Sequence, residues 1–141
     1  MKIVKCDLLK FAEQSEFDVI IHGCNCFCAM GAGIARTIRR EYPAAYQADC
    51  KTEKGSKTKL GTYSSAKVHS SGYCFEIVNA YTQYRAKGFF RWWGRGVLVD
   101  YDAINSVMSL IKSDFSGCRI GYPLIGSGLA GGDWQTILKN Y

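Results

Sequence analysis

Apolar residues recur along the chain with two spacings, one typical of buried strands and one typical of helices. The run 17-FDVIIHG-23 is mostly apolar, as expected of a strand that is buried on both faces of a sheet. Residues 34–42, IARTIRREY, carry apolar residues at helical spacing, and the predicted helix stops before Pro43. A second helix is predicted over residues 43–54, PAAYQADCKTEK, ending at Gly55.

The flanking segments predict further elements. Residues 2–6, KIVKC, have the β-branched composition of a short strand, and residues 8–14 suit a short helix. Residues 61–70 and 73–82 are two strand-like runs separated by Ser71-Gly72, which predicts a hairpin.

The C-terminal third alternates in the same way. A helix is predicted over residues 99–114, a strand over residues 119–125, and another helix from Asp133. Strands that alternate with helices predict an α/β fold with helices on the faces of one sheet. The length suits a single domain, residues 1–141. Because the last helix has only about two turns, we expect the C-terminal end to be truncated or to continue as a disordered tail.

Composition narrows the class of protein. No apolar run approaches the roughly 18 residues of a membrane-spanning helix, and the N-terminal segment lacks the apolar core of a signal peptide. Seven cysteines without a secretory signal favour a reducing, cytoplasmic location over a disulfide framework. The net charge of +6 is compatible with an anionic partner, such as a nucleotide, a phosphate or a nucleic acid, and equally with solubility alone.

Two glycine-rich turns share one design, in which a strand ends and a helix begins. They are 30-MGAG-33, after the first buried strand, and 126-GSGLAGG-132, after the predicted strand 119–125. Glycine lets the backbone approach a ligand closely, and free N–H groups at a helix N-terminus bind anions. Each turn alone is typical of a tight connection, but two on neighbouring strands favour a site for the two phosphates of one diphosphate.

Three common phosphate or nucleotide sites are excluded. The spacing Gly126-x-Gly128-x-x-Gly131 matches a dinucleotide-binding fingerprint, but the chain ends ten residues later, too soon for the rest of that unit. The sequence lacks the G-x-x-x-x-G-K-[ST] of P-loop NTPases. No cysteine is followed by an arginine six positions later, as the cysteine phosphatases require.

His22 and three alternate cysteines, Cys24, Cys26 and Cys28, suggest a metal site as an alternative. Structural zinc usually takes ligand pairs from two separate segments. Four alternate residues of one strand spread over about 20 Å, at roughly 3.3 Å per residue, too far for one tetrahedron unless the chain folds back. Zinc is therefore the less favoured interpretation, and the cysteines are interpreted as small fillers around a pocket.

The motifs in combination resemble those of the macro domain, an α/β/α family that binds ADP-ribose. The segments that carry the resemblance are 6-CDLL-9, 22-HGCN-25, 30-MGAGIA-35, 77-IVNAYTQ-83 and 122-YPLIGSGLAGGDW-134. The resemblance is nearest to small single-domain members that act on ADP-ribose 1''-phosphate. It implies a three-layer α/β/α sandwich with a mixed central sheet.

The resemblance also implies a site for ADP-ribose or ADP-ribose 1''-phosphate that needs neither a cofactor nor a metal. Asp7 would accept a hydrogen bond from the adenine amino group, Leu8 would offer its backbone, and Asn25 would contact the distal ribose. The two phosphate-binding loops would consist, first, of Met30, Gly31, Ala32, Gly33, Ile34 and Ala35 and, second, of Ile125, Gly126, Ser127, Gly128, Leu129, Ala130 and Gly131.

Hydrolysis of the phosphate ester needs a positioned nucleophile, an acid or base, and donors for the phosphate charge. The resemblance implies that His22 and Asp133 flank the two loops, as candidate bases for an activated water, with Asn25 orienting the ribose. Each base has a structural alternative. His22 lies near the end of an apolar strand, and Asp133, like Asp7, precedes a helix, where aspartate is a common N-cap.

Some positions depart from the family pattern. Cys6 stands where a glycine is usual, which alters the expected turn. Relatives that remove ADP-ribose from glutamate or DNA bases have a lysine near the end of the IVNAYTQ strand, and here none follows before Lys87. Such relatives also have an acid where this chain has Ala130. We therefore expect a phosphatase. A non-catalytic ADP-ribose reader and a hydrolase that releases ADP-ribose from protein or nucleic acid are the alternatives.

Residues 84–96, YRAKGFFRWWGRG, mix four aromatic residues after Tyr84 with four basic residues. Arginine and aromatic side chains together stack on bases and contact phosphates. A surface loop pinned by buried aromatics is the favoured interpretation, and nucleic-acid binding is the alternative. We expect a monomer that contacts no membrane.

Overall fold

A mixed sheet lies between two layers of helices in the computed structural model, which describes residues 5–86, 97–125 and 132–139. The strands found in these residues are β1 Val19–Cys24, β2 Tyr63–Ser70, β3 Tyr73–Tyr81 and β4 Ile120–Gly121. Their order is β2-β3-β1-β4, with β1 parallel to β3 and β4, and β2 antiparallel to β3. The carboxyl ends of the three parallel strands therefore meet at one edge of the sheet.

The two helical layers cover opposite faces of the sheet. The helices in the same residues are α1 Leu8–Glu13, α2 Gly33–Glu41, α3 Pro43–Cys50, α4 Tyr101–Asp114 and α5 Trp134–Leu138, with a 3-10 turn at Lys57–Lys59. Because successive strand residues face opposite sides, Ile20 lies in the core beneath α1, α2 and α3, and Ile21 lies in the core beneath α4 and α5. This confirms the predicted three-layer α/β/α arrangement with a mixed sheet.

Aspartate side chains define where helices begin. Asp7 Oδ1 accepts a hydrogen bond from Leu9 N at 3.1 Å, and Asp100 Oδ1 accepts one from Ala103 N at 2.9 Å. These bonds satisfy N–H groups that have no partner within the helix.

No helix in the described part of the chain is long and apolar enough to cross a membrane.

The predicted hairpin is confirmed, with β2 and β3 joined at Ser71-Gly72. The φ angles of Ser71 and Gly72 are 51° and 84°. Both are left-handed, as the tight turns that match the twist of a hairpin require. Ser70 consequently pairs with Tyr73, which fixes the register of the whole hairpin.

The second predicted helix is shorter than expected. It ends at Cys50, whereas the sequence pattern extended it to Gly55. Thr52 turns the chain there, because its N–H and its hydroxyl both donate to Asp49 O, at 3.1 and 2.6 Å.

The predicted strand 119–125 is also shorter, with only Ile120–Gly121 in the sheet. A Cβ atom on Gly121 would lie 2.7 Å from Phe17 and 2.8 Å from Leu8, so this position is tightly packed. Pro123 has no N–H group to extend the ladder. The predicted strand 2–6 lies largely outside the described residues, as do the glycine-rich turn 126–131 and most of loop 84–96.

Candidate ligand-binding site

The first glycine-rich turn lies at the carboxyl edge of the sheet, between the end of β1 and the start of α2. Ligands of open α/β folds bind at this edge, where loops leave the parallel strands. Residues 25–32 form the connection, which we call the β1–α2 loop. Ile125, the first residue of the second predicted loop, is also at this end of the sheet and is 3% exposed.

Asn25 organises the β1–α2 loop from within. Its Oδ1 accepts a hydrogen bond from Phe27 N, and its Nδ2 donates to Ala29 O, both at 2.9 Å. The side chain is 7% exposed, so the predicted contact with a ribose would use the small part of Asn25 that faces outwards. The observed bonds give Asn25 a role in shaping the loop.

The N-terminus of α2 is open. Gly31, Ala32 and Gly33 are exposed, whereas Met30 beside them is 1% exposed and anchors the segment in the core. Ala32 occupies the N-cap position and no side chain caps the helix there. Gly33 has φ 57°, a left-handed conformation that favours glycine. The first N–H groups of α2 therefore face outwards with the partial positive charge that attracts anions.

A buried lysine supports the β1–α2 loop from beneath. Lys59 is 6% exposed, and its Nζ donates to Cys26 O at 3.3 Å and approaches Cys28 Sγ at 3.7 Å. The ammonium group lies 4.3 Å from the centre of the Tyr81 ring and 3.7 Å from Asp49 Oδ1. Lys59 thus ties the loop to α3 and to the end of β3.

Asp49 is the centre of this buried polar cluster. It is 1% exposed, its Oδ1 accepts from the Tyr81 hydroxyl at 2.8 Å, and its Oδ2 is buried without a partner. The backbone carbonyl of Asp49 accepts from Cys28 Sγ at 3.3 Å. Burial raises the pKa of Tyr81, and it also raises the pKa of the Cys24 and Cys26 thiols. These thiols are consequently protonated at neutral pH, as expected of packing residues.

His22 is completely buried on the α3 side of the sheet. Its Nε2 donates to Asn79 Oδ1 at 2.7 Å, and Asn79 Nδ2 in turn donates to Ala45 O at 2.9 Å and to Ser64 Oγ at 3.0 Å. Burial lowers the pKa of His22 to about 4. The imidazole is therefore neutral at pH 7, and His22 exposes no surface that a substrate could touch.

Asp133 lies on the opposite side of the sheet from His22. Its Oδ2 accepts from Thr136 N at 2.9 Å and from Thr136 Oγ1 at 2.6 Å, so it caps α5. Its backbone N–H donates to the Tyr101 hydroxyl at 2.9 Å. The hydrogen bonds from Thr136 lower the pKa of this exposed carboxyl, which is therefore ionised at neutral pH. The structure does not bring the two candidate bases together.

A groove of about 590 Å³ leads from Asp7 along the space between α1 and α2. Asp7 and Lys10 line one wall, and Ile34, Thr37 and Arg40 line the other. The groove therefore runs from the residue predicted to meet adenine along α2, and Ile34 is the residue of the first predicted phosphate-binding loop that lines it. Leu8, predicted to offer its backbone, packs its side chain against Gly121.

The end of β1 packs closely against the residue that follows β3 and against Ile125. A Cβ on Gly23 would lie 2.9 Å from Thr82 Oγ1 and 3.2 Å from Ile125 Cγ2. Glycine at this position lets β1, β3 and the chain after β4 approach one another. Thr82 Oγ1 is buried without a hydrogen-bond partner. The rest of the second predicted loop lies outside the described residues. It consists of Gly126, Ser127, Gly128, Leu129, Ala130 and Gly131.

The buried cluster is the part of the site that sequence reasoning missed. A lysine in a polar segment is ordinarily expected at the surface, so nothing marked Lys59 as buried. The one available signal was Asp49, which stands within a helix on the same side as the apolar Ala45.

Within residues 5–86, 97–125 and 132–139, no three His, Cys, Asp or Glu side chains converge on a position that could hold a metal ion.

The sequence is 34% identical, over 147 residues, to the "uncharacterized 17.5 kDa protein in tk-vs intergenic region" of Enterobacteria phage T4, covering 97% of this chain and 84% of that protein. No protein-family model matches the sequence. The phage relationship thus extends over nearly the whole chain.

The structure is similar to the macrodomain of Mycobacterium tuberculosis DarG, with a TM-score of 0.69 and 18% identity over 96% of this chain and 83% of that chain. It is also similar to Thermosipho africanus DarTG in complex with ADP-ribose, with a TM-score of 0.66 and 18% identity over 89% of this chain and 34% of that chain. At these identities the likeness shows the fold.

Proposed function

Because the chain belongs to the same family as the phage T4 17.5 kDa protein and has the macro domain fold, we propose that it binds ADP-ribose at the carboxyl edge of its sheet. The observation that carries this proposal is the uncapped N-terminus of α2, with Gly31, Ala32 and Gly33 exposed. A diphosphate at this position accepts from outward-facing N–H groups and gains from the helix dipole. The ADP-ribose in the Thermosipho DarTG structure supports the choice of ligand.

The adenine end of the ligand lies, in this proposal, beside Asp7 and the groove between α1 and α2. Asp7 Oδ1 is engaged in capping Leu9 N and Lys10 N. The second carboxylate oxygen is then the acceptor for an adenine amino group. At the other end, Asn25 holds the β1–α2 loop in place and faces the distal ribose with its exposed fraction.

The proposed reaction is hydrolysis of ADP-ribose 1''-phosphate to ADP-ribose and phosphate. Backbone N–H groups of α2 and of the glycine-rich segment 126–131 supply donors for the phosphate charge. Asp133 is the candidate base, since it is exposed and ionised. A direct catalytic role for His22 stays a prediction, and its burial favours a positioning role, in which it fixes β1 against β3 just before Asn25.

A second candidate function is a reader that binds ADP-ribose without turnover. The burial of His22 and the capping bonds of Asp133 favour it, because both candidate bases have structural tasks. A hydrolase that releases ADP-ribose from protein or nucleic acid is the third class. The chain has Ala80, Tyr81 and Gln83 where such enzymes have a lysine, which disfavours this class.

One pair of measurements separates these functions. The full chain is titrated with ADP-ribose in a calorimeter and incubated with ADP-ribose 1''-phosphate while released phosphate is measured. Binding with phosphate release supports the phosphatase, and binding without release leaves the reader. Absence of ADP-ribose binding contradicts the whole proposal. ADP-ribosylated protein and DNA serve as further substrates, and turnover of these alone favours the third class.

A further inference from the structure

His69 and Cys74 face each other across the β2–β3 hairpin, away from the candidate ligand-binding site. They are register partners in the two strands, one pair further from the turn than Ser70 and Tyr73. His69 Nδ1 lies 2.8 Å from Cys74 Sγ, and both residues are exposed. The imidazole and the thiol thus form one surface-accessible pair.

The backbone holds this pair in place. The hairpin is tight, with left-handed φ angles at Ser71 and Gly72, and its strands pair without interruption from Tyr63–Ala80 to Ser70–Tyr73. Since cross-strand partners have Cβ atoms about 4.5–5.5 Å apart, the backbone keeps the two side chains within reach of each other on one face of the hairpin. The two groups are therefore preorganised with respect to each other.

Imidazole nitrogen and thiolate sulfur are the donors that zinc prefers. Bond lengths of about 2.0 Å to nitrogen and 2.3 Å to sulfur place the two donors of a tetrahedral ion roughly 3.5 Å apart. The observed 2.8 Å is shorter, so a small rotation about the side-chain torsions opens the pair to that separation. The backbone need not move.

We propose that His69 Nδ1 and Cys74 Sγ form a two-ligand surface site for zinc or a metal ion of similar preference. The thiol releases its proton when the ion binds. Two coordination positions stay open to water or to donors from another molecule, since no third His, Cys, Asp or Glu of the described residues joins the pair. Glu76, two residues further along β3, instead accepts from Ser65 Oγ at 2.7 Å.

This inference concerns a different surface from the nucleotide site and does not depend on ADP-ribose binding. The turn lies at the amino end of β3, whereas the β1–α2 loop lies at the carboxyl edge. Nor is it the metal site considered from the sequence, which grouped His22 with Cys24, Cys26 and Cys28. His22 is buried against Asn79, and the Cys24 and Cys26 thiols are buried as well.

The test is a zinc titration of the reduced full chain against a chromophoric chelator, repeated with Cys74→Ser, His69→Gln and the double variant. Each single change is expected to weaken zinc binding at least about tenfold, since even the loss of outer-shell partners costs roughly 10–100-fold. Cys118→Ser is the matched control, because Cys118 is also exposed and lies on another surface. It should leave zinc binding unchanged.

Cobalt provides an independent readout. The parent protein and Cys118→Ser should show the charge-transfer absorption of a cobalt–thiolate bond, and Cys74→Ser should not. All substituted side chains are exposed, so unchanged thermal unfolding midpoints are expected and verify folding. Equal zinc affinity in the parent and the double variant overturns the proposal, as does an equal loss in Cys118→Ser.

Discussion

His22 on β1 and Asn79 on β3 are hydrogen-bonded at 2.7 Å across two parallel strands, and both side chains are 0% exposed. Asn79 Nδ2 also donates a hydrogen bond to Ala45 O in the backbone of α3. One polar chain therefore links two central strands and the helix that covers them, immediately before the strand ends that carry the candidate site.

This buried histidine predicts a specific dependence of stability on pH. Burial lowers its pKa to about 4 in the folded protein, whereas an unfolded histidine titrates near 6.5. Below pH 6.5 the unfolded chain binds a proton that the folded chain lacks, so stability is full above that pH and falls towards pH 4. At pH 4.5 the loss is roughly 2 to 3 kcal/mol.

The measurement is urea unfolding at pH 7.5 and 4.5 of the parent protein and of His22→Gln. Glutamine retains an N–H donor for Asn79 but does not titrate. Between the two pH values, the free energy of unfolding of His22→Gln should therefore fall by roughly 2 to 3 kcal/mol less than that of the parent protein. Equal losses in both proteins contradict the account of His22.

Replacement of Lys59 by methionine should destabilise the protein strongly. It leaves the Asp49 carboxylate buried without its cation, and breaking a buried pair in this way typically costs about 3–5 kcal/mol. Lys54→Met is the control, because Lys54 is exposed and its loss should change stability by less than about 0.5 kcal/mol. Urea unfolding measures both, and the double variant Lys59→Met/Asp49→Asn should recover part of the loss. Similar stabilities of Lys59→Met and Lys54→Met would show that the pair is unimportant.

Gly33→Ala should affect both stability and ADP-ribose binding, whereas Gly72→Ala should affect stability alone. Both glycines have left-handed φ angles, 57° and 84°, so a side chain costs roughly 1–2 kcal/mol at either position. Only Gly33 begins α2 at the proposed diphosphate site. We expect Gly33→Ala to lower the affinity for ADP-ribose, measured by calorimetry, at least about tenfold, which is equivalent to about 1.4 kcal/mol of binding free energy. Equal affinities in the two variants count against this location of the diphosphate.

Two substitutions of Asp133 separate its capping role from catalysis. Asparagine caps a helix about as well as aspartate, whereas alanine costs about 1 kcal/mol. Asp133→Asn should therefore retain stability but lose a general base, which lowers phosphate release by roughly 10²–10⁴-fold. Phosphate release and thermal unfolding are measured for both variants. Undiminished release by Asp133→Asn removes Asp133 from catalysis and leaves it as a cap.

Local patterns predicted the elements whose signals lie within a few residues. The hairpin follows from Ser71-Gly72, α1 follows from the Asp7 cap, and the end of α2 follows from Pro43. Pro123 was a local signal against a strand that continues to residue 125. The close packing of Gly121 against Phe17 and Leu8, more than 100 residues earlier in the chain, could not be predicted from local patterns.

In the candidate site too, the features with local sequence signals were predicted, and those that depend on contacts between distant residues were not. The segment that forms the β1–α2 loop was recognised, since glycines at a strand-to-helix junction are a local signal. The support for that loop was not, because Lys59 and Asp49 meet Cys26 and Cys28 only through the fold. For His22, the same strand pattern suited either a catalytic or a buried histidine, and only the partner Asn79 on β3 distinguishes them.

The restraints on the β1–α2 loop come from the protein itself. Asn25 bonds within the loop, Gly55 N and Lys59 Nζ both donate to Cys26 O, and Tyr84 O accepts from Cys26 N. The free energy of ordering this loop is therefore part of folding. For any ligand that binds there, residues 25–29 are already ordered, so arranging them does not reduce its affinity.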